Sequence, residues 1–124
     1  MTDQRERSTS RILIVEDEMM VSMLMEDLLE ELGYSTVGPA TALEQAVAMA
    51  REAEIDAAIL DVNLNGQNTY AVAEILRERR IPFAFATGYG GNAIAENFRN
   101  APVLSKPFQL DDLDRAVSEV LHSR

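Results

Sequence analysis

Five polar side chains stand at the ends of short apolar runs, and together they have the composition of a phosphoryl-transfer site. Glu16 and Asp17 close Ile12-Leu13-Ile14-Val15, and Asp61 closes Ala57-Ala58-Ile59-Leu60. Thr87 closes Phe83-Ala84-Phe85-Ala86, and Lys106 follows Val103-Leu104-Ser105. Three carboxylates brought together repel one another. A hard divalent cation removes that cost, and Mg2+ (or Mn2+) suits oxygen donors that leave it some water. A lysine adds a point charge suited to a phosphoryl oxygen, and a threonine hydroxyl can hydrogen-bond the same oxygens. Catalysis of phosphoryl transfer is mostly positioning and charge neutralisation. In that company Asp61 would be a carboxylate nucleophile and an aspartyl phosphate its product.

Each residue alone has a plainer explanation. Glu16 and Asp17 could simply cap the next helix. Asp61, followed by Asn63 and Asn65, could belong to a turn, and so could Thr87 ahead of its glycines. A lysine before a proline is most often solvated. What changes the balance is that all of them sit at strand ends, so that each plain explanation would have to hold independently.

The elements that must position these residues alternate between two patterns. Continuous apolar runs of four, such as 12–15, fit strands buried on both faces of a parallel sheet. Between them, apolar residues recur at helical spacing. Val21, Leu24, Met25, Leu28 and Leu32 predict one helix face, stopped by Gly33. Tyr34 to Val37 predicts a second, short strand. Thr41-Ala42-Leu43-Glu44 matches a capping box and opens a helix with Leu43, Ala46, Val47 and Ala50 inside. Asn63 to Asn68 is turn chemistry around Gly66, and Val72, Ile75 and Leu76 mark a third helix. Gly88-Tyr89-Gly90-Gly91 is a loop of high backbone entropy. A fourth helix must fit between Asn92 and Arg99, and Leu110, Leu113, Val117 and Val120 face inward on a last one. Five strands alternating with five helices predict a doubly wound α/β domain, with its site where the carboxyl ends of the strands meet.

The bulk properties agree. With 124 residues there is material for one domain, read as residues 11–124 behind a flexible, polar tail at 1–10. A formal charge of −10 repels nucleic-acid phosphates and suits a cation. No apolar run approaches the ~20 residues that span a bilayer. There is no cysteine, hence neither disulfides nor a thiolate metal site, and a cytoplasmic setting is the natural expectation. The six methionines, four of them at 19, 20, 23 and 25, read as core or helix surface. His122, the one histidine, should sit in solvent at the end of the last helix.

Taken in order, Ile14-Val15-Glu16-Asp17-Glu18, Ile59-Leu60-Asp61-Val62-Asn63-Leu64, Ala86-Thr87-Gly88 and Ser105-Lys106-Pro107-Phe108 resemble the receiver domains of two-component response regulators. The resemblance covers about Arg11 to His122. It implies a flavodoxin-like five-stranded parallel sheet in the order 2-1-3-4-5. It implies that Asp61 is the phosphoacceptor, that Asp17 binds Mg2+ directly, and that Glu16 acts through a bound water. Asn63 would offer its backbone carbonyl to the metal, Thr87 and Lys106 would contact the phosphoryl group, and the Lys106–Pro107 peptide would be cis. The implied partner is a sensor histidine kinase, with a downstream effector or phosphotransfer protein. On this reading the chain is a signalling switch rather than an enzyme, and either a single-domain regulator or a phosphate sink.

The sequence also departs from the family pattern. Asn65 replaces a proline that many receivers carry four residues after the acceptor. Val103 stands where an aromatic switch residue is usual, and Tyr89 is the available substitute. The stretch from Thr87 to Lys106 is short and glycine-rich, so the fourth helix should be short or mobile without phosphate. Finally, Pro82-Phe83-Ala84-Phe85-Ala86-Thr87-Gly88-Tyr89 is similar to a subfamily marked by Phe-Ala-Thr-Gly plus an aromatic, known mainly from alphaproteobacterial stress signalling.

Two rival readings remain open on the sequence. One is a degenerate receiver that binds protein without phosphate, and metal-dependent phosphorylation separates it from a true switch. The other is an enzyme on the same fold. A flavin carrier would be yellow and would need a phosphate-cradling loop after the first strand. An aspartyl phosphatase would need a second carboxylate close after Asp61, where Asn63 stands.

Overall fold

The computed structural model describes residues 10–88 and 94–122. Five parallel strands form one sheet: β1 (Arg11–Val15), β2 (Ser35–Ala40), β3 (Ala57–Asp61), β6 (Phe83–Thr87) and β7 (Val103–Ser105). A small antiparallel pair, β4 (Asn63–Leu64) and β5 (Gln67–Asn68), lies between β3 and β6 in the chain. The sheet order is β2-β1-β3-β6-β7, which is 2-1-3-4-5 once the small pair is set aside. Among the described residues there are four α-helices: α1 (Met19–Glu31), α2 (Leu43–Glu52), α3 (Tyr70–Glu78) and α4 (Leu110–His122). The α-helix expected between Asn92 and Arg99 is not among them. Its described part holds a single 3-10 turn, Glu96–Phe98, between Ala95 and a turn at Arg99 and Asn100.

Strand alternation divides the core in two. Leu13, Val15, Leu60, Phe83 and Phe85 face α2 and α3, and Ile12, Ile14, Ile59, Ala84 and Ala86 face α1 and α4. On β6 the large and small residues alternate with the faces. The two phenylalanines share their layer with Ala46, Ala50 and Ala73 from the helices, whereas Ala84 and Ala86 share theirs with Leu113 and Val117. Such matching of large to small keeps interior packing dense. Burying a side chain of the Leu or Phe type is worth about 1.5–3 kcal/mol, so these positions hold the sheet as a rigid platform for its loops.

The helices follow their sequences with local corrections. α1 ends as Gly33 predicts: its φ is +97°, and the Tyr34 N–H donates to the Leu29 carbonyl at 2.9 Å, a left-handed glycine cap. Its buried face, however, is Ser22, Met25 and Leu29, and Leu24 is exposed. Val21, Met25, Leu28 and Leu32 of the expected stripe still pack on the core, and Ser22 joins them by donating its hydroxyl to the Met19 carbonyl at 3.0 Å, which makes a polar residue compatible with burial. The capping box at Thr41 to Glu44 is absent. Ala42 occupies the N-cap, and Gln45, three residues on, accepts the Thr41 N–H at 3.0 Å.

Strand β2 runs past the expected Val37 to Ala40 through a cis Gly38–Pro39 peptide. Proline is tolerated here because β2 is an edge strand. Gly38 is required, since its φ is +96° and a Cβ there would lie 2.9 Å from Ala40 N and 3.0 Å from the Ile14 carbonyl oxygen. The β1–β2 register shifts between Leu13 and Val15, and the Ala40 carbonyl thereby accepts the Glu16 N–H at 3.0 Å. An edge-strand irregularity thus fixes the backbone of a candidate site residue.

Candidate functional site

All the strand ends singled out in the sequence open on one edge of the sheet. Asp17, Asp61, Asn63, Asn65, Thr87 and Lys106 line a cleft of about 510 Å3 there. Oxygens of Glu16, Asp17 and Asp61 lie within 4.8 Å of one another. Glu16 is fully buried, Asp61 and Thr87 nearly so, and Asp17 and Lys106 are half-buried.

Lys106 reaches across from the loop after β7. Its Nζ donates to Glu16 Oε1 at 2.8 Å and to Asp61 Oδ2 at 3.1 Å. The loop is held by the Lys106 N–H, which donates to the Thr87 carbonyl at 2.9 Å, and its Lys106–Pro107 peptide is cis. Burial drives the Glu16 pKa up, more than the Lys106 and Glu18 hydrogen bonds bring it down. Burial alone would lower the Lys106 pKa, but its bonds to Glu16 and its proximity to Asp61 outweigh that and raise it. The ammonium is therefore retained between two carboxylates.

Two further strands of support hold Asp61. Its Oδ1 accepts the Asn63 N–H at 3.1 Å, and its backbone carbonyl accepts the buried Thr69 hydroxyl at 2.7 Å. Thr69 occupies the N-cap of α3, yet its side chain bonds Asp61 and not the helix.

The architecture and the acidic edge invite comparison with known proteins. The model of the response regulator receiver domain family matches residues 12–118. The chain belongs to the response-regulator receiver family. It is 32% identical over 120 residues to the transcriptional regulatory protein PdtaR of Mycobacterium tuberculosis, covering 94% of this chain and 58% of PdtaR. It therefore spans less than two thirds of that relative's length. Among solved structures it is similar to SdrG from Sphingomonas melonis Fr1, with 44% identity, a TM-score of 0.83, and coverage of 92% of this chain and 98% of that one. It is also similar to the receiver domain of the sensor histidine kinase PA1611 from Pseudomonas aeruginosa PAO1. That match has 25% identity and a TM-score of 0.76, covers 91% of this chain and 98% of the other, and the structure has a magnesium ion in its active-site cleft.

The donor set of this receiver fits the same kind of ion. Three carboxylates whose oxygens lie within 4.8 Å of one another are hard oxygen ligands, and among the described residues no histidine or cysteine joins the cluster. Lys106 binds the Glu16 and Asp61 oxygens without touching Asp17, whose Oδ2 instead accepts the Asn65 N–H at 3.3 Å.

The turn expected from Asn63 to Asn68 is present as a hairpin, whose strand pairing was not foreseen, and Thr69 was not singled out. Asn65 and Gly66 form the two-residue connection between β4 and β5, with φ of +52° and +85°. An Asn-Gly pair flanked by strand residues is a strong hairpin signal, and here it lay in plain view. The hairpin is pinned over the site by Asn65, whose Nδ2 donates to the Thr41 carbonyl at 3.0 Å, and by the Gly66 N–H, which donates to Asn63 Oδ1 at 2.8 Å. Thr69 carried only a generic cap signal. Four expectations fall wholly or partly outside the described residues: Tyr89 as a switch aromatic, the glycine-rich stretch 88–91, the helix between Asn92 and Arg99, and the flexible tail at 1–10, of which only Ser10 is described. His122 is exposed at the end of α4, as its position suggested. Of the methionines read as core or helix surface, Met19, Met20 and Met23 lie on the helix surface, 74%, 85% and 55% exposed, and Met25 is core.

Proposed function

We propose that this receiver takes a phosphoryl group onto Asp61 from a phosphohistidine of a sensor histidine kinase, and that the acyl phosphate switches a protein-contact face. The observation that carries the reading is the convergence of three carboxylates within 4.8 Å, with a lysine ammonium 3.1 Å from Asp61 Oδ2. Asp61 presents an oxygen to phosphorus as the phosphorus–nitrogen bond breaks, and the imidazole leaves with its electron pair. Asp17, Asp61, the Asn63 carbonyl and, through water, Glu16 would hold Mg2+, which would supply charge neutralisation for the phosphoryl oxygens. Lys106 exchanges its bond to Asp61 for one to a phosphoryl oxygen. Thr87, whose backbone already ties β6 to Lys106, donates its hydroxyl to another.

The output face is formed by the segment after β6 together with β7 and α4. A groove of about 290 Å3 lies between β7 and α4, bordered by Leu104, Asp112, Arg115 and Glu119. Added charge at Asp61 shifts the population between two arrangements of this face. The downstream effector meets it there, in the cytoplasm.

Intact mass after incubation with acetyl phosphate and Mg2+ tests the reading. One phosphoryl adduct is expected on the wild type, none on Asp61→Asn, and none with a chelator. If the wild type stays unmodified and beryllofluoride with Mg2+ also leaves its NMR spectrum unchanged, the chain is a phosphate-independent binding module instead.

A further inference from the structure

Val103 deprives this receiver of an aromatic ring at the strand position where the family usually places one. On the far side of β6 from α1 and α4, however, four rings gather. Tyr70 stacks on Phe98 with centroids 5.3 Å apart and planes at 8°, and meets Phe85 edge-on at 5.9 Å. Phe83 packs edge-on against both Phe85 and Phe98. The Tyr70 hydroxyl accepts the Ala95 N–H at 2.8 Å. Arg77, two turns along α3, lays its guanidinium 4.3 Å above the Phe98 ring and donates to the Asn97 carbonyl at 3.0 Å. The segment 94–98 is thus gripped by two side chains of one helix.

That helix starts at the acceptor. Thr69 donates its hydroxyl to the Asp61 carbonyl, and its own N–H donates to the Val62 carbonyl at 3.1 Å. Tyr70 is the next residue. Two consecutive residues therefore connect the backbone of Asp61 to the amide of Ala95, through hydrogen bonds at both ends.

We propose that Tyr70 is the positioning residue that couples the state of Asp61 to the segment 94–98, acting where other receivers use an aromatic at the position of Val103. The inference rests on Asp61 being the phosphoacceptor. Tyr70 touches neither metal nor phosphoryl group and acts through Thr69. A small displacement of the Asp61 backbone moves the start of α3. The hydroxyl of Tyr70 then loses or regains the Ala95 amide, while the stack on Phe98 keeps the ring in register. A hydrogen bond that can break over a stack that persists is a two-state element of the kind a local charge can bias.

The test is NMR on the labelled chain with and without beryllofluoride and Mg2+, for the wild type, Tyr70→Phe, Thr69→Val and Thr69→Ser. Tyr70→Phe keeps the ring and deletes the acceptor oxygen. It is expected to leave the response of the Thr87 amide to beryllofluoride as in the wild type. It should speed Ala95 amide exchange at least ~10-fold, a free-energy change of about 1.4 kcal/mol, and should cut the shifts of Ala95 and Phe98 on activation to less than half. Thr69→Val should reduce those same shifts, and Thr69→Ser should restore them. A merely structural role would accelerate exchange across the sheet and would not single out 94–98. A normal wild-type response at Thr87, with Tyr70→Phe activating 94–98 as fully as the wild type, overturns this inference alone. No response at Thr87 in the wild type overturns the receiver reading and this inference with it.

Discussion

Lys106 and Glu16 form a 2.8 Å ion pair in which the glutamate is fully buried and the lysine only 17% exposed. They are 90 residues apart, and the pair joins the end of β1 to the loop after β7 across the middle of the sheet. Glu16 is thereby neutralised by a group that the proposed chemistry requires to move. A structural bond and a catalytic contact compete for one ammonium.

The first prediction follows from that pair. Lys106→Met leaves Glu16 and Asp61 without their cation. Breaking a buried pair costs up to about 3–5 kcal/mol when the remaining charge cannot adjust. Glu16 can adjust, because burial already raises its pKa. A raised carboxyl pKa means that the folded state holds its proton more tightly, so stability is fully present below the unfolded value of about 4.3 and falls as pH rises through the folded value. Losing Lys106 lifts the folded value further and widens that window. Urea unfolding without metal should therefore show Lys106→Met losing about 1–3 kcal/mol at pH 7, and distinctly less at pH 5. An equal loss at both pH values would show that Glu16 is not the source.

A cation should replace what the lysine provides. A ligand that binds only the folded state stabilises it by about 2.7 kcal/mol at a hundred times its Kd. Thermal unfolding of the wild type in 10 mM Mg2+ (roughly 2–8 °C per kcal/mol across small and mid-sized domains) should rise over that in a chelator. Asp17→Asn should abolish most of the rise, since Asp17 is the carboxylate of the three that Lys106 does not touch. A rise of equal size in Asp17→Asn would remove Asp17 from the ligand set.

These two residues show what the sequence conveys and what it does not. The carboxylates, Thr87 and Lys106 were legible because parallel strands send their carboxyl ends to one edge, so residue type and strand end suffice to bring them together. The sheet order was legible for the same reason, through the family pattern of those ends. The exposure of Leu24 was not, because Val21, Met25, Leu28 and Leu32 define the same stripe whether or not Leu24 joins it, and Ser22 reads as polar until its hydroxyl finds the Met19 carbonyl. The expected fourth α-helix gave way to a 3-10 turn over 96–98, where packing of Phe98 on Tyr70 and a bond from Arg77 to the Asn97 carbonyl replace helical periodicity. Contacts of that kind depend on a neighbour 20 or more residues away, which no local pattern announces.

The hairpin over the site gives a third prediction. Asn65 has a φ of +52°, which asparagine tolerates and proline, fixed near −65°, cannot adopt. Restoring the proline common elsewhere in the family should therefore harm this chain. Asn65→Pro should destabilise it by about 1–3 kcal/mol, the usual cost of a disallowed backbone state. It should also weaken Mg2+ binding, because the Asn65 N–H to Asp17 Oδ2 is lost. Gly66→Ala has open space around its Cβ and meets only the strain of φ +85°, about 1–2 kcal/mol. It should leave metal affinity unchanged. Equal metal affinity in Asn65→Pro and wild type would show that the hairpin does not orient Asp17.

The last prediction concerns the start of α1. Met19, Met20, Met23 and Leu24 are exposed together, two residues beyond Asp17 at the lip of the cleft. Large apolar side chains left in solvent in one group mark contact sites more often than chance placement does, and methionine adapts to varied partner surfaces. The same helix carries Glu26, Asp27, Glu30 and Glu31, so a partner seated here would present an apolar centre with basic surroundings. A kinase that delivers a phosphohistidine to Asp61 must rest close to this lip. Met19→Lys combined with Met20→Lys should lower the rate of transfer from any histidine kinase that phosphorylates the wild type by at least ~10-fold, the equivalent of one well-packed contact of about 1.4 kcal/mol. Labelling by acetyl phosphate, which needs no docking, should be unaffected. Equal losses with both donors would place the defect in the acceptor site, and no loss with the kinase would move the docking surface elsewhere on the receiver.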